Sequence, residues 1–322
     1  MPIPQLDGTS VLVTGGAGFI GAHLVEELLA QGAKVRVLDD LSTGLESNLD
    51  LFRDRVELIV GDLREPEHCR RACSGVDTIY HQAALGSVPR SVKDPATSLA
   101  VNVGGTANLF TAARDAEVRR IVYASSSSVY GDTPTLPKRE GEEGEVLSPY
   151  ALSKKMCEEL TDIFTRCYDM EIVGLRYFNV YGPRQRPDGP YAAVIPRFFD
   201  AYLSGRAPII FGDGEQSRDF TYVGDAVRAN LLASGAPKSS CGRSYNVAGG
   251  KRVSLNQLWR LIREQVGGGP EPEYGDPRPG DVRHSLADLT DAGSGLDYEP
   301  QVDVDKGLEA AAAHYRQAAS VA

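Results

Sequence analysis

Cysteine is sparse and poorly spaced for cross-linking. The five present, Cys69, Cys73, Cys157, Cys167 and Cys241, are odd in number and scattered. This argues against a disulfide framework and points to reduced thiols in a cytoplasmic protein. Cys69 and Cys73 fall four apart, but nothing nearby completes a ligand set, so no metal is expected. Basic blocks are missing too: net charge is −10. Nucleic acid is therefore excluded as an expected partner, and any phosphate-binding chemistry must be local. No apolar run approaches the ~20 residues that a bilayer requires, so no membrane partner is expected. The opening Met1-Pro-Ile-Pro-Gln-Leu-Asp7 lacks the basic-then-apolar pattern of a secretory leader.

What is present is ordinary in bulk: 322 residues, 42% hydrophobic and 24% charged, enough for about two globular domains. The order of elements is more telling. Ser10-Val-Leu-Val-Thr14 reads as a strand buried on both faces. It runs into Gly15-Gly-Ala-Gly18-Phe-Ile-Gly21, which opens an amphipathic segment through Leu29. The spacing G-x-x-G-x-x-G between strand and helix lets a pyrophosphate approach the backbone and rest on a helix N-terminus. A second strand, Lys34–Leu38, ends in Asp39-Asp40, about 20 residues past the glycines, where an acid binds a ribose 2′-hydroxyl. That charge repels a 2′-phosphate and favours NAD over NADP; Arg36 lies inside the strand.

Alternation continues through strands Val56–Val60, Val76–His81, Arg120–Ala124 and Glu171–Tyr177. After them come Gly61-Asp62-Leu63, where the acid can reach an adenine amine, and Gln82-Ala83-Ala84, small enough for close cofactor approach. A helix over 95–116 carries Asn102. Ser125-Ser-Ser-Ser128 ends the fifth strand, read either as a serine-rich turn or as hydroxyls aimed at substrate. The Gly131–Leu147 stretch reads as a polar loop. Alternating strands and helices imply an α/β fold, a Rossmann-type doubly wound parallel sheet with ligands beyond its strand carboxyl ends. Residues 1–180 form the dinucleotide-binding domain in this reading, joined by about 220–250, with a late strand at Ser244–Val247. Residues 181–322 supply a smaller, mostly C-terminal substrate domain. Its expected elements are a helix over 192–203, Ile209–Phe211 and Phe220–Val223 flanking Gly212–Arg218, a helix over 227–233, and a helix over 254–266 capped by Ser254.

Ser148-Pro-Tyr-Ala-Leu-Ser-Lys154 starts a helix with proline at its first position. Tyr150 and Lys154 are then four apart on one face. An ammonium beside a phenol favours the phenolate and permits proton exchange; by itself the pair also reads as a solvated helix start.

Together these stretches resemble the extended short-chain dehydrogenase/reductases. The likeness rests on the glycine turn, the serines, Tyr150/Lys154, Arg176-Tyr-Phe-Asn-Val180 and Ser217-Arg-Asp-Phe220. Within that superfamily the chain is most similar to bacterial UDP-N-acetylglucosamine 4-epimerases, through His81–Arg90, Tyr191–Pro196 and Gly280–Asp288. The resemblance implies NAD, a UDP-sugar substrate, a homodimer through the helices over 95–116 and 149–168, and a precursor role in polysaccharide biosynthesis. It assigns Tyr150 as base, Lys154 as its partner and ribose ligand, and Ser126 as the hydroxyl on the sugar 4-oxygen. For the cofactor it adds Phe19, Ile20, Ser42, Thr43, Gly44, Asn102 and Tyr177. For the substrate it implies Gly86, Ser87, Ser127, Ser128, Asn179, Ala193 and Val194, with Arg218 and Arg278 on the diphosphate and Phe211 and Asp281 on uridine. Ser285 stands where galactose epimerases carry a tyrosine, which leaves room for a 2-acetamido group. Gly86 departs from those enzymes, many of which have a lysine there.

Other readings stay open. A 4,6-dehydratase needs an Asp-Glu pair where this chain has Ser127-Ser128. A UDP-glucose/UDP-galactose or UDP-uronic acid 4-epimerase shares the motifs, with Arg90, Arg186 or Arg283 placed to meet a carboxylate. A non-catalytic NAD-binding sensor would need the fold alone.

Overall fold

Seven strands make one parallel sheet in the computed structural model, which describes residues 4–188, 192–277 and 282–321. They are β1 (Ser10–Thr14), β2 (Lys34–Asp39), β3 (Val56–Val60), β4 (Thr78–His81), β5 (Arg120–Ser126), β6 (Glu171–Tyr177) and, later in the chain, β11 (Arg243–Val247). Their order is β11-β6-β5-β4-β1-β2-β3. Six short strands pair outside the main sheet. These are β7 (Val180–Tyr181) with β10 (Thr221–Tyr222), β8 (Ile209–Phe211) with β13 (Glu273–Gly275), and β9 (Ser217–Asp219) with β12 (Arg252–Ser254). The Rossmann-type α/β expectation is met, including a late strand in the main sheet.

The helices are α1 (Phe19–Ala30), α2 (Pro66–Cys73), α3 (Val88–Lys93), α4 (Pro95–Leu99), α5 (Gly105–Asp115), α6 (Pro149–Tyr168), α7 (Val194–Leu203), α8 (Val223–Gly235), α9 (Leu255–Val266), α10 (Thr290–Leu296) and α11 (Val304–Val321). Period-2 alternation splits the sheet side chains between two cores. Val11, Val13, Val35, Val37 and Tyr80 face Leu24, Val25 and Leu28 of α1 and Ala229, Leu232 and Ala233 of α8. Leu12, Ile79, Ile121 and Ile172 face Cys69 and Cys73 of α2, Leu109 and Phe110 of α5, and Cys157 and Phe164 of α6. A third core gathers Phe198 and Phe199 of α7, Leu258, Trp259 and Ile262 of α9, and Leu308 and Tyr315 of α11 around Tyr181 and Phe220.

Local signals explain the helix starts. Ser148 Oγ accepts the Ala151 N–H at 3.1 Å ahead of Pro149. Ser254 and Gln257 form a reciprocal capping box on α9. Three expectations are corrected. The helix over 95–116 is α4, a π-helical turn over Ala100–Gly104, and α5. Val223 starts α8 instead of ending a strand, because β10 stops at Tyr222. Ser217 and Arg218, expected in the stretch between two strands, join Asp219 in β9; β12 pairs with it and supplies the ladder partners that sequence alone hides. The five cysteines are free thiols, and among the described residues no helix is long and apolar enough to cross a membrane.

Candidate active site

The strand order reverses between β1 and β4, and ligands on open parallel sheets bind beyond the strand carboxyl ends at such a point. Gly15 follows β1 at φ +68°, and a Cβ there would stand 2.7 Å from the Ala83 backbone that follows β4. A Cβ on Gly21 would lie 2.1 Å from the Gly15 oxygen. These glycines therefore let β1, α1 and the β4 exit close on one another. Beside them opens a cleft of about 90 Å³ lined by Gly15, Gly18, Asp39, Asp40, Ser42, Thr43, Gly44, Asp62, Leu63, Gln82, Ala83 and Ala84. Leu38, Gly61, Leu85 and Val101, not foreseen, complete it. Phe19, Ile20 and Gly21 form the first turn of α1 and do not line it. Asp39 braces the glycine turn, accepting the Ala17 and Leu41 N–H groups at 2.9 Å. Burial nevertheless pushes its carboxyl up from the usual range. Asp62 faces the cleft but is held by Arg64, whose hydrogen bonds keep its carboxyl below that range.

Two predicted cofactor residues stand behind the cleft. Tyr177 closes a ring: its hydroxyl donates to Gln82 Oε1 (3.1 Å), Gln82 Nε2 donates to Asn230 Oδ1 (2.9 Å), and Asn230 Nδ2 donates to the Tyr177 hydroxyl (2.7 Å). Asn230 escaped the sequence reading; its only sign is an amide inside the apolar α8 run. Asn102 lies in the π-helical turn, a feature frequent at functional sites. Its Oδ1 accepts the Leu85 N–H at 2.8 Å, and its carbonyl accepts Thr106 Oγ1 at 2.5 Å. Thr106 has one hydroxyl proton, so the His81 Nε2 at 2.9 Å must donate to it. His81 Nδ1 then accepts the Thr14 hydroxyl at 2.7 Å. The imidazole is thus fixed as one neutral tautomer. Burial, with the Lys154 charge adding, pushes its pKa down to about 3.

The serines end β5, whose neighbours in the sheet are β4 and β6. Ser126 Oγ accepts the Ser128 N–H at 3.2 Å, and a 3₁₀ turn over Ser127–Tyr130 follows. Ser128 Oγ is buried with no hydrogen-bond partner among the described residues, which a ligand would satisfy. Tyr150 is half-buried in the first turn of α6, its N–H donated to Ser91 Oγ at 3.0 Å. Lys154 is buried and donates Nζ to the Ala124 carbonyl at 2.7 Å. One turn further, Glu158 accepts Ser125 Oγ at 2.5 Å. Successive turns of α6 therefore grip the strand end that carries Ser126. Gly86 is exposed, and Ser87 caps α3 by accepting the Arg90 N–H at 3.2 Å.

Past β6 lies a cavity of about 540 Å³. It brings together Asn179, Ala193, Val194, Phe211 and Arg218, all foreseen, with Tyr181, Gln185, Arg197, Arg206 and Gln216, which were not. Three guanidiniums against Asp200 make this a local cationic site on an acidic chain. Asn179 has φ +37°, a left-handed backbone that asparagine tolerates better than most residues. Its Nδ2 donates to the Asp219 carbonyl at 2.9 Å. Ser285 does not line the cavity; it is half-buried beside β9, its Oγ accepting the Asp219 N–H at 3.3 Å. Arg278 and Asp281, with Tyr191 and Gly280 of the matched motifs, lie outside the described residues.

Cleft and glycine turn fit a dinucleotide: open backbone at a helix N-terminus for pyrophosphate, and carboxylates for ribose hydroxyls. The chain matches a model of the NAD dependent epimerase/dehydratase family over residues 11–248. A Mycolicibacterium smegmatis UDP-glucose 4-epimerase is 41% identical over 301 residues, covering 92% of this chain and 95% of that one. Among solved structures, a UDP-N-acetylglucosamine 4-epimerase from Methanobrevibacter ruminantium in complex with UDP-N-acetylmuramic acid superposes with TM-score 0.92 at 37% identity, covering 97% and 99% of the two chains. A Bacillus cereus UDP-glucuronic acid 4-epimerase mutant with NAD gives 0.89 at 30%, covering 96% and 100%. Fold, glycine turn and full-length likeness agree: the chain belongs to the NAD dependent epimerase/dehydratase family, with NAD as its cofactor.

Proposed function

We propose that the protein is a UDP-sugar 4-epimerase that interconverts UDP-N-acetylglucosamine and UDP-N-acetylgalactosamine through a 4-keto intermediate. The N-acetyl preference is carried by Ser285, a small side chain held by β9 just outside the cavity lining, at the position where the resemblance to galactose epimerases puts a tyrosine. The likeness to a UDP-N-acetylglucosamine 4-epimerase over 97% of the chain supports it.

In this mechanism Tyr150 takes the proton from the sugar 4-hydroxyl and later returns it, while Ser126 hydrogen-bonds the 4-oxygen. Lys154, beside them on α6, stabilises the phenolate and holds the nicotinamide ribose. NAD, when bound, supplies the two-electron acceptor and donor at sugar C4 and is regenerated each cycle. Gly15, Gly18, the acids Asp39, Asp40 and Asp62, Ser42–Gly44, Leu63 and Gln82–Ala84 face the cofactor, with Phe19, Ile20, Gly21, Asn102 and Tyr177 supporting them from behind the cleft. Asn179, Ala193 and Val194 meet the diphosphate or the sugar, Arg218 and Arg278 the diphosphate, Phe211 and Asp281 the uridine, and Gly86, Ser87, Ser127, Ser128 and Ser285 the sugar. Residues 1–180, joined by about 220–250, thereby serve the cofactor, and 181–322 mainly the substrate.

UDP-glucose/UDP-galactose turnover is the competing reading, favoured by the name of the Mycolicibacterium relative. For a uronic acid substrate, whose carboxylate Arg90, Arg186 or Arg283 would meet, Arg186 is paired with Asp188 and Arg283 with Asp213. We also propose a homodimer and a cytoplasmic role in making glycan precursors. The deciding experiment is proton NMR of the anomeric region, without added NAD, on UDP-N-acetylglucosamine and on UDP-glucose. Fast appearance of UDP-N-acetylgalactosamine with slow UDP-galactose is expected. Equal rates would overturn the N-acetyl preference. Turnover of neither, even with NAD supplied, would overturn both of these substrate readings and leave UDP-uronic acids, then the sensor.

A further inference from the structure

We infer that Asp219 is the positioning residue of the substrate pocket: its buried carboxylate ties two chain segments to β9, and its main-chain N–H and carbonyl hold Ser285 and Asn179, in the geometry the UDP-sugar meets. This rests on the UDP-sugar reading of that cavity.

The evidence is where its bonds go. Asp219 ends β9 and is fully buried. Oδ1 accepts the Gly250 N–H at 3.0 Å, fixing the turn after β11. Oδ2 accepts the Ala287 N–H at 3.1 Å, fixing the segment that carries Ser285. Its backbone N–H donates to Ser285 Oγ at 3.3 Å, and its carbonyl accepts Asn179 Nδ2 at 2.9 Å. Arg218, its neighbour on β9, is thereby placed as well. Asn179, Arg218 and Ser285 are three residues proposed above to meet substrate. They come from stretches far apart in sequence, and Asp219 is the residue bonded or adjacent to all three.

The chemistry is also demanding. A buried carboxylate costs free energy unless its lone pairs are filled, and burial pushes this one up to about 6 in spite of its backbone donors. Both of its oxygens are taken by backbone N–H groups on different segments, so the charge is tied to the local geometry. Only a carboxylate accepts on both oxygens, and both Gly250 and Ala287 need an acceptor. The cradle is tight: a Cβ on Gly249 would lie 2.4 Å from the Phe220 oxygen and 3.5 Å from Asp219 Oδ1.

The test is Asp219→Asn, which is isosteric but turns one acceptor into a donor facing an N–H. The readouts are KM and kcat for UDP-N-acetylglucosamine and UDP-glucose, calorimetric affinity for UDP, and bound NAD. A roughly tenfold rise in KM is expected, the size of one lost buried hydrogen bond. With it go a smaller change in kcat, a narrowed preference between the two sugars, weaker UDP binding and unchanged NAD content. Unchanged KM, UDP affinity and sugar preference would overturn the role, as would an equal loss of NAD and of activity on both sugars, which marks a scaffold. If the variant does not fold, Gly250→Ala loosens one tie at a φ of +73°; the same shifts, smaller, are expected, and their absence counts against Asp219. If the wild type turns over neither sugar, the substrate reading fails. UDP affinity of wild type against variant still decides the positioning role.

Discussion

Arg176 and Glu158 form a bidentate ion pair, with Nε and Nη2 reaching the two carboxylate oxygens at 2.9 and 2.7 Å. Their side chains are only 8% and 14% exposed. Arg176 also pairs with Glu143 of the 131–147 loop and donates to the Tyr130 hydroxyl at 3.0 Å. Strand β6, helix α6 and that loop therefore meet on one guanidinium. Arg176→Met would strand two carboxylates, costing about 3–5 kcal/mol. Glu158→Gln, which still accepts Ser125 Oγ, should cost less. Urea unfolding checks both. A wild-type midpoint for Arg176→Met would show that the pair holds nothing together.

The glycines differ in what they protect. A Cβ on Gly18 meets only the Gly15 oxygen, at 3.1 Å, whereas on Gly21 it meets that oxygen at 2.1 Å. Gly18→Ala should fold near wild-type stability and lose NAD by blocking pyrophosphate approach. Gly21→Ala should lower the melting temperature as well. Thermal melts paired with assay of released nucleotide separate the two, and full NAD retention by Gly18→Ala would count against the turn as pyrophosphate site.

Ser285→Tyr tests the pocket gate. Turnover of UDP-N-acetylglucosamine should fall at least tenfold, an effect of about 1.4 kcal/mol or more, with UDP-glucose turnover kept. Intact turnover of the N-acetyl sugar would remove Ser285 from the specificity account.

Stability against pH carries two opposed contributions. His81 keeps a pKa of about 3 in the fold and about 6.5 unfolded. As pH falls from 6.5 the unfolded chain binds the extra proton, so stability is lost. Asp219 has a folded pKa of about 6. Between about 6 and 4 the folded state binds its proton first, so stability from this group rises as pH falls. The Lys154 charge adds to burial in holding the His81 value down. Removing Asp219 by substitution with asparagine should steepen the loss of stability between pH 6 and 4. Superimposable wild-type and variant curves in denaturant titrations would refute this.

Leu152, Met156 and Ile163 on α6 are 40%, 40% and 44% exposed. Spaced four and seven apart, they form one apolar stripe, the face the proposed homodimer would cover. Light scattering should give the mass of two chains for the wild type and of one for Met156→Glu. A single-chain wild type, or a variant still paired, would rule out this face.

Much of this architecture was legible because alternating strands and helices carry a strong periodic signal. Ser10–Thr14, the glycine turn and the acids after β2 could be placed by spacing alone, since each obeys a local rule. Residues defined by tertiary contact were not legible. Asn230 matters only because α8 brings it against Gln82 and Tyr177. The π-helical turn at Asn102 leaves no pattern in an otherwise regular helix, and β9 is a strand only because β12 pairs with it. His81 could be read as the end of a strand; its tautomer required the positions of Thr14 and Thr106.

The last strand of the sheet, β11, enters after the chain has left β6, built β7 to β10, and returned. A polypeptide ended near residue 180 would keep the glycine turn, the serines and helix α6, yet expose the whole hydrogen-bonding edge of β6. Bare edges recruit strands from other molecules. Such a fragment would be a seed for aggregation instead of a working half, and on the ribosome the sheet stays open until Val247 has emerged.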